Sequence, residues 1–110
     1  MPDERLHRIA ESARNEVLRT RILRMAKAAY PNWILKPVLF TTLERNHVET
    51  DLHELDFNVH YLVEKSLLRL ERIKQENDAE TWRVQLTARG IDFLEGRFEE
   101  IGLASPDLVD

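Results

Sequence analysis

Between Leu52 and Val63 the apolar residues Leu52, Leu55, Val59, Leu62 and Val63 recur at steps of three and four, which gathers them on one side of a helix. This predicts a helix over 51–65 whose stripe is core. Thr50 is suited to cap it, and Asp51 places negative charge where the first-turn N–H groups and the dipole favour it. The opposite side carries His53, Glu54, Phe57, Tyr61, Glu64 and Lys65, with Asp56, Asn58 and His60 on the flanks. From Leu68 the period drops to two, setting Leu68, Leu70 and Arg72 on one face of a strand and Arg69, Glu71 and Ile73 on the other. Gln75–Glu80 has no apolar pattern, and Asn77-Asp78 suits a tight reversal. Trp82, Val84 and Leu86 then alternate again, so strands 68–74 and 81–86 are expected to form an antiparallel hairpin.

Upstream, Arg5–Ala29 lacks proline and glycine and predicts a helix over 5–29. Its apolar pattern changes phase: Leu6, Ile9, Ala10, Ala13 and Val17 share one side, whereas Leu18, Ile22, Met25 and Ala29 lie round the axis from it. One face cannot serve both halves. The second half belongs in the core, and the first needs a cover, either a second copy of the chain or its own C-terminal helix. Tyr30-Pro31 ends this helix, since a residue before proline is pushed out of helical geometry. Trp33-Ile34-Leu35 suggests a short extended segment, and Pro37 suits the first turn of a helix over 37–46 that buries Val38, Leu39, Phe40 and Leu43. With His47–Glu49 as the turn, Pro37–Lys65 makes a helix-turn-helix. Thr87 would cap a last helix over 87–101, carrying Ile91, Leu94, Phe98 and Ile101 and weakened at Gly90 and Gly96. Gly102 would stop it, leaving 103–110 as a flexible tail.

The string YLVEKSLLRLER, a polar turn, and WRVQLTARGIDFLEG resembles the second half of bacterial and phage winged helix-turn-helix proteins. The residues that carry the resemblance are Tyr61, Leu62, Ser66 and Leu67 at the end of the reading helix, then Leu86, Thr87 and Gly90 at the start of the last helix. It covers about Arg21 to Gly96. Ser66 stands where the family usually has glycine, which predicts a looser chain reversal there. The fold expected is mainly α with a small antiparallel β-hairpin, a single winged-helix domain over 1–110 with an N-terminal helical extension. The resemblance implies a small DNA-binding transcriptional regulator.

Composition narrows the classes. The chain has 110 residues, 43% of them hydrophobic, enough for one core. No apolar run reaches membrane-spanning length, and the first residues are too charged for a signal peptide, so a cytoplasmic location and no membrane are expected. Cysteine is absent, which excludes disulfides, thiolate metal sites and cysteine nucleophiles. No nucleophile triad, phosphate-cradling glycine loop or H-E-x-x-H helix occurs, so neither enzymatic activity nor a cofactor is expected. His47, Glu49, Asp51 and His53 alternate through the turn, but a helix starting at Asp51 splays them, and they read as a solvated turn rather than a metal site. The net charge of −4 is uneven: Met1–Pro31 sums to +3, Asp51–Lys65 to −3 and Asp92–Asp110 to −5.

For double-stranded DNA the candidate contacts are His53, Asn58, His60 and Lys65 on the reading helix and Arg69, Arg72, Lys74 and Arg83 on the hairpin. Arg72, Lys74 and Arg83 would lie together on the paired strands. The basic positions of the first helix, Arg14, Arg19, Arg21, Arg24 and Lys27, would add to this if that helix lay near the duplex. The alternative is a protein–protein interaction module. Phe57 and Tyr61, four apart, would form an aromatic patch on the acidic helix face, unless Tyr61 leans toward the hairpin as core. On either reading a homodimer is expected through the terminal helices, with Leu6, Ile9, Ala13 and Val17 marking the contact.

Overall fold

The computed structural model describes residues 2–109. In chain order it contains helix α1 (Pro2–Ala29), strand β1 (Ile34–Leu35), helices α2 (Lys36–Arg45) and α3 (Leu52–Glu64), strands β2 (Leu68–Lys74) and β3 (Glu80–Leu86), and helix α4 (Ala88–Leu94). The chain is thus mainly helical with a small three-stranded antiparallel sheet. The strand order is β1-β3-β2. Ile34 pairs with Val84, and β2 pairs with β3 from Leu68↔Leu86 to Lys74↔Glu80. The expected hairpin is present, and the extended segment at Ile34-Leu35 adds the third strand.

One buried cluster joins these elements. Leu18, Ile22, Leu23 and Ala26 of α1 meet Leu39 and Leu43 of α2, Leu55, Val59 and Leu62 of α3, and Leu68, Trp82, Val84 and Leu86 of the sheet. The second half of α1 therefore does belong to the core. Its first half projects from the body: every residue from Asp3 to Arg14 is exposed, including Leu6 and Ile9, and only Arg14, at the root, reaches across to Glu54 and Glu49 O among the described residues. A fold-back onto a C-terminal helix does not occur, because α4 is short and the chain after it packs further along α1.

Three helices end in the same way. The N–H of Val48 reaches back to Leu43 O, that of Leu67 to Leu62 O and that of Arg97 to Asp92 O, each across a residue of positive φ: His47 (60°), Ser66 (63°) and Gly96 (78°). This is the Schellman arrangement, which satisfies carbonyls at the helix end and buries an apolar pair beneath it, here Val48 with Leu43 and Leu67 with Leu62. Two expectations are corrected by it. Ser66 reverses the chain in the left-handed region that glycine would favour, so the turn into β2 is tight rather than loose. The last helix stops at Leu94 rather than 101, since Gly96 closes it.

Gly90 answers to a different constraint. A Cβ there would lie 2.5 Å from both Leu67 O and Leu86 Cδ1, so the residue is a close crossing of backbone over backbone. Thr87 caps α4 as expected, accepting from Gly90 N at 3.0 Å. At α3 the cap is Asp51 instead of Thr50: its carboxylate accepts from Glu54 N at 2.7 Å.

The segment expected to be a flexible tail is docked. Leu103 and Val109 are buried, and α1 holds the chain by its backbone: Thr20 Oγ1 donates to Ala104 O at 2.6 Å, Ala104 N donates to Glu16 O at 3.1 Å, and Arg24 donates to Pro106 O. Pro106–Leu108 forms a single 3-10 turn within it.

Candidate functional site

The stripe that α3 buries is Leu55, Asn58, Val59 and Leu62, not the expected one beginning at Leu52. Leu52, at the first turn, is half exposed. This rotation changes which side chains remain free. The outer side of α3 presents His53, Asp56, Phe57, His60 and Glu64, which together line a shallow hollow with Tyr61 at its edge. Phe57 is 58% exposed, the largest apolar side chain on this face.

Asn58 is lost as a reader of bases. It is fully buried, accepts from Arg19 Nε at 2.8 Å, and donates to Asn15 Oδ1 at 3.2 Å and Glu54 O at 3.0 Å. An amide so engaged cannot reach a groove. Arg19 in turn donates to Gly102 O at 2.8 Å and lies flat over the Tyr61 ring, 3.7 Å from its centroid. Burial pulls the Arg19 guanidinium below its ordinary value, with Tyr61 and Glu16 partly offsetting the effect; arginine stays a cation through such shifts. Tyr61 completes the network by donating to Ile101 O at 3.2 Å. It therefore leans toward α1 and the C-terminal segment. It still borders the hollow with Phe57, but its ring and hydroxyl are engaged by Arg19 and Ile101 O rather than by the hairpin.

Asp56 anchors the other flank of α3. Lys36 Nζ approaches its carboxylate at 2.9 Å and Trp82 Nε1 donates to it at 2.8 Å, tying α3 to the start of α2 and to β3. Burial is the largest single influence on this carboxyl and opposes its charge. The hydrogen bonds from Lys36 and Trp82, with the charges of Lys36 and His60, outweigh it and hold Asp56 below the usual carboxylate range. His60 itself is exposed, with Nδ1 2.7 Å from Asp56 O, and His53 is exposed.

The hairpin cations divide by register. Arg83 stands opposite Glu71 and pairs with it at 3.1 Å while its guanidinium lies over Trp33, 4.8 Å from the ring centroid. Arg69 donates to Gln85 at 3.0 Å on the same outer face. Arg72 and Lys74 pair with Trp82 and Glu80 and so belong to the other face, because side chains alternate along a strand. The expected grouping of Arg72, Lys74 and Arg83 is corrected accordingly. Arg72 and Lys74 are exposed and form no ion pair among the described residues. Lys65 is half-buried and bridged to Glu100 at 3.2 Å, which Arg89 also holds at 2.8 Å.

Of the basic α1 positions, Arg14 pairs with Glu54 at 2.7 Å, and Arg19 and Arg24 are bound to the body as described. Among the described residues no group of three or more His, Asp or Glu side chains is placed to hold a metal ion, and His47, Glu49, Asp51 and His53 stay apart. No described helix is long and apolar enough to cross a membrane. Compared with protein-family profiles, curated proteins and solved structures, the chain finds no match.

The engagements of Asn58, Arg19 and Asp56 were not read from the sequence. The one available signal was that Asn58 falls three residues after Leu55 and four before Leu62, inside the apolar stripe. A polar residue at such a position needs a buried partner, and Arg19 is that partner.

Proposed function

We propose that the chain is a winged helix-turn-helix module of the kind found in small bacterial and phage transcriptional regulators, and that it binds double-stranded DNA without catalysing a reaction. The reading is supported by the succession α2, turn, α3, hairpin, with α3 keeping one face uncovered beside the hairpin. The single observation that carries it toward DNA is the exposed pair Arg72 and Lys74, free of ion pairs among the described residues, on the strand face whose Trp82 donates to Asp56 of that helix. On this reading α3 enters a major groove with His53 and His60 nearest the bases, and the hairpin cations meet the backbone. The outer face of α3 offers no arginine or lysine, so few phosphates are contacted and binding is weak.

A second reading is favoured by Phe57. A half-exposed phenylalanine among His53, His60 and Glu64 is a side chain suited to another protein's surface rather than to a phosphate-lined groove. One titration separates the two. Affinity for random duplex DNA falls with the logarithm of salt by roughly 0.9 per phosphate neutralised, so Arg72→Ala with Lys74→Ala flattens the slope by roughly two units. Absence of duplex binding at low salt ends the DNA reading, and loss of partner capture in Phe57→Asp with the fold intact supports the second.

A further inference from the structure

We infer that the projecting first half of α1 is the dimerisation arm of this chain, and that its occupant is the same arm of a second copy, laid antiparallel. Residues 3–14 form about 18 Å of helix at roughly 1.5 Å per residue, with every side chain exposed. A helix of this length gains little from its own hydrogen bonds in water and is held mainly by what covers its apolar side. Nothing in the body covers Leu6, Ile9, Ala10 and Ala13, and Val17 at the root is half-buried.

The arrangement of the strip selects the partner. About a two-fold axis between Ile9 and Ala10, an antiparallel copy sets Leu6 against Ala13 and Ile9 against Ala10, large on small at every crossing. Charge along the flanks also suits a second copy. Asp3 and Arg14 are eleven residues apart, which is three turns and about 20° at 100° per residue, so they share one flank. Arg5 and Glu16 share the other by the same spacing. Antiparallel pairing brings Asp3 to Arg14 and Arg5 to Glu16 of the second copy, and it opposes the helix dipoles. Arg14 already holds Glu54 and donates to Glu49 O, while about half of its side chain stays open. The arm also ends where it must, since the tip of one copy meets the root of the other where α1 enters the body. Two arms of this length bury on the order of 1,000 Å², the lower end of specific interfaces, so the dimer is a weak one.

The full chain is examined by sedimentation equilibrium across a concentration series, with circular dichroism as the check on folding. The wild type shows a reversible monomer–dimer equilibrium, and Ile9→Glu weakens it at least tenfold while leaving thermal unfolding of the body unchanged. Orientation is read by disulfide trapping, which the absence of native cysteine makes clean. Ala10→Cys, beside the axis, cross-links two copies, and Asp3→Cys, about thirteen residues or 20 Å from its counterpart, does not. A wild type that stays monomeric at all concentrations, a dimer indifferent to Ile9→Glu, or cross-linking through Asp3→Cys overturns the inference.

Discussion

Arg19 Nε donates to Asn58 Oδ1 at 2.8 Å inside the core, a buried bond that, with Asn58 to Asn15 and Arg14 to Glu54, joins α1 to the helix that presents the candidate contact face. The same guanidinium covers Tyr61 and reaches Gly102, so this cation ties α3 and the C-terminal segment to α1 together. The network spends the polar atoms of Asn58 on the fold. What α3 offers to a partner is then decided by the residues left outside.

Asn58→Ala removes the acceptor and leaves a buried charged donor unsatisfied. The expected loss is about 2–3 kcal/mol of unfolding free energy, measured by urea denaturation. Asn58→Asp recovers much of it by restoring an acceptor to Arg19. A base-reading role for Asn58 would instead leave stability unchanged and alter sequence preference.

Asp56 gives the chain an acid-sensitive joint. Its carboxyl is held below its ordinary value in the folded state, so the stabilisation is complete above the unfolded value near pH 4 and is lost as pH falls through the lower folded one. Asp56→Asn should lower stability at neutral pH and flatten the acid limb of the stability profile, while leaving the profile above about pH 5 parallel to wild type. Trp82→Phe, which deletes the indole donor, should shift the acid limb toward higher pH. Urea midpoints between pH 2 and 7 read both effects.

Two substitutions distinguish the backbone demands at the ends of the hairpin. Ser66 sits at φ 63°, where a side chain is strained, so Ser66→Gly is expected to be neutral to stabilising by up to about 1 kcal/mol. Gly90 is limited by space instead: a methyl there meets Leu67 O, and Gly90→Ala is expected to cost about 1–3 kcal/mol despite the better helix propensity of alanine. Thermal unfolding of the two variants should move in opposite directions or, at the least, separate clearly.

The strength of periodic signals decided what could be read in advance. The stripe of α3 and the alternation of Leu68, Leu70, Val84 and Leu86 placed a helix and a hairpin correctly, because burial on one face imposes those periods. Helix ends were harder. Gly96 reads in the sequence as a weak point of a helix running to 101 and not as its end, and His47 and Ser66 adopt the same left-handed conformation without glycine, which no local propensity announces. The docking of 103–109 was hidden for another reason: α1 binds that segment through its carbonyl groups, which leave little trace in side-chain pattern. At the candidate site, Phe57, His53 and His60 were correctly placed outside, but the pairing of Arg83 with Glu71 depended on strand register, which a single sequence fixes only weakly.

The proposal that α3 and the hairpin form one DNA-contacting surface is tested most directly by amide chemical-shift mapping of the full chain during titration with a random duplex at low salt. The account predicts shifts confined to residues 53–64 and 71–75 that fade as salt is raised. Unchanged spectra at saturating duplex, or shifts gathered on α1 instead, would contradict it.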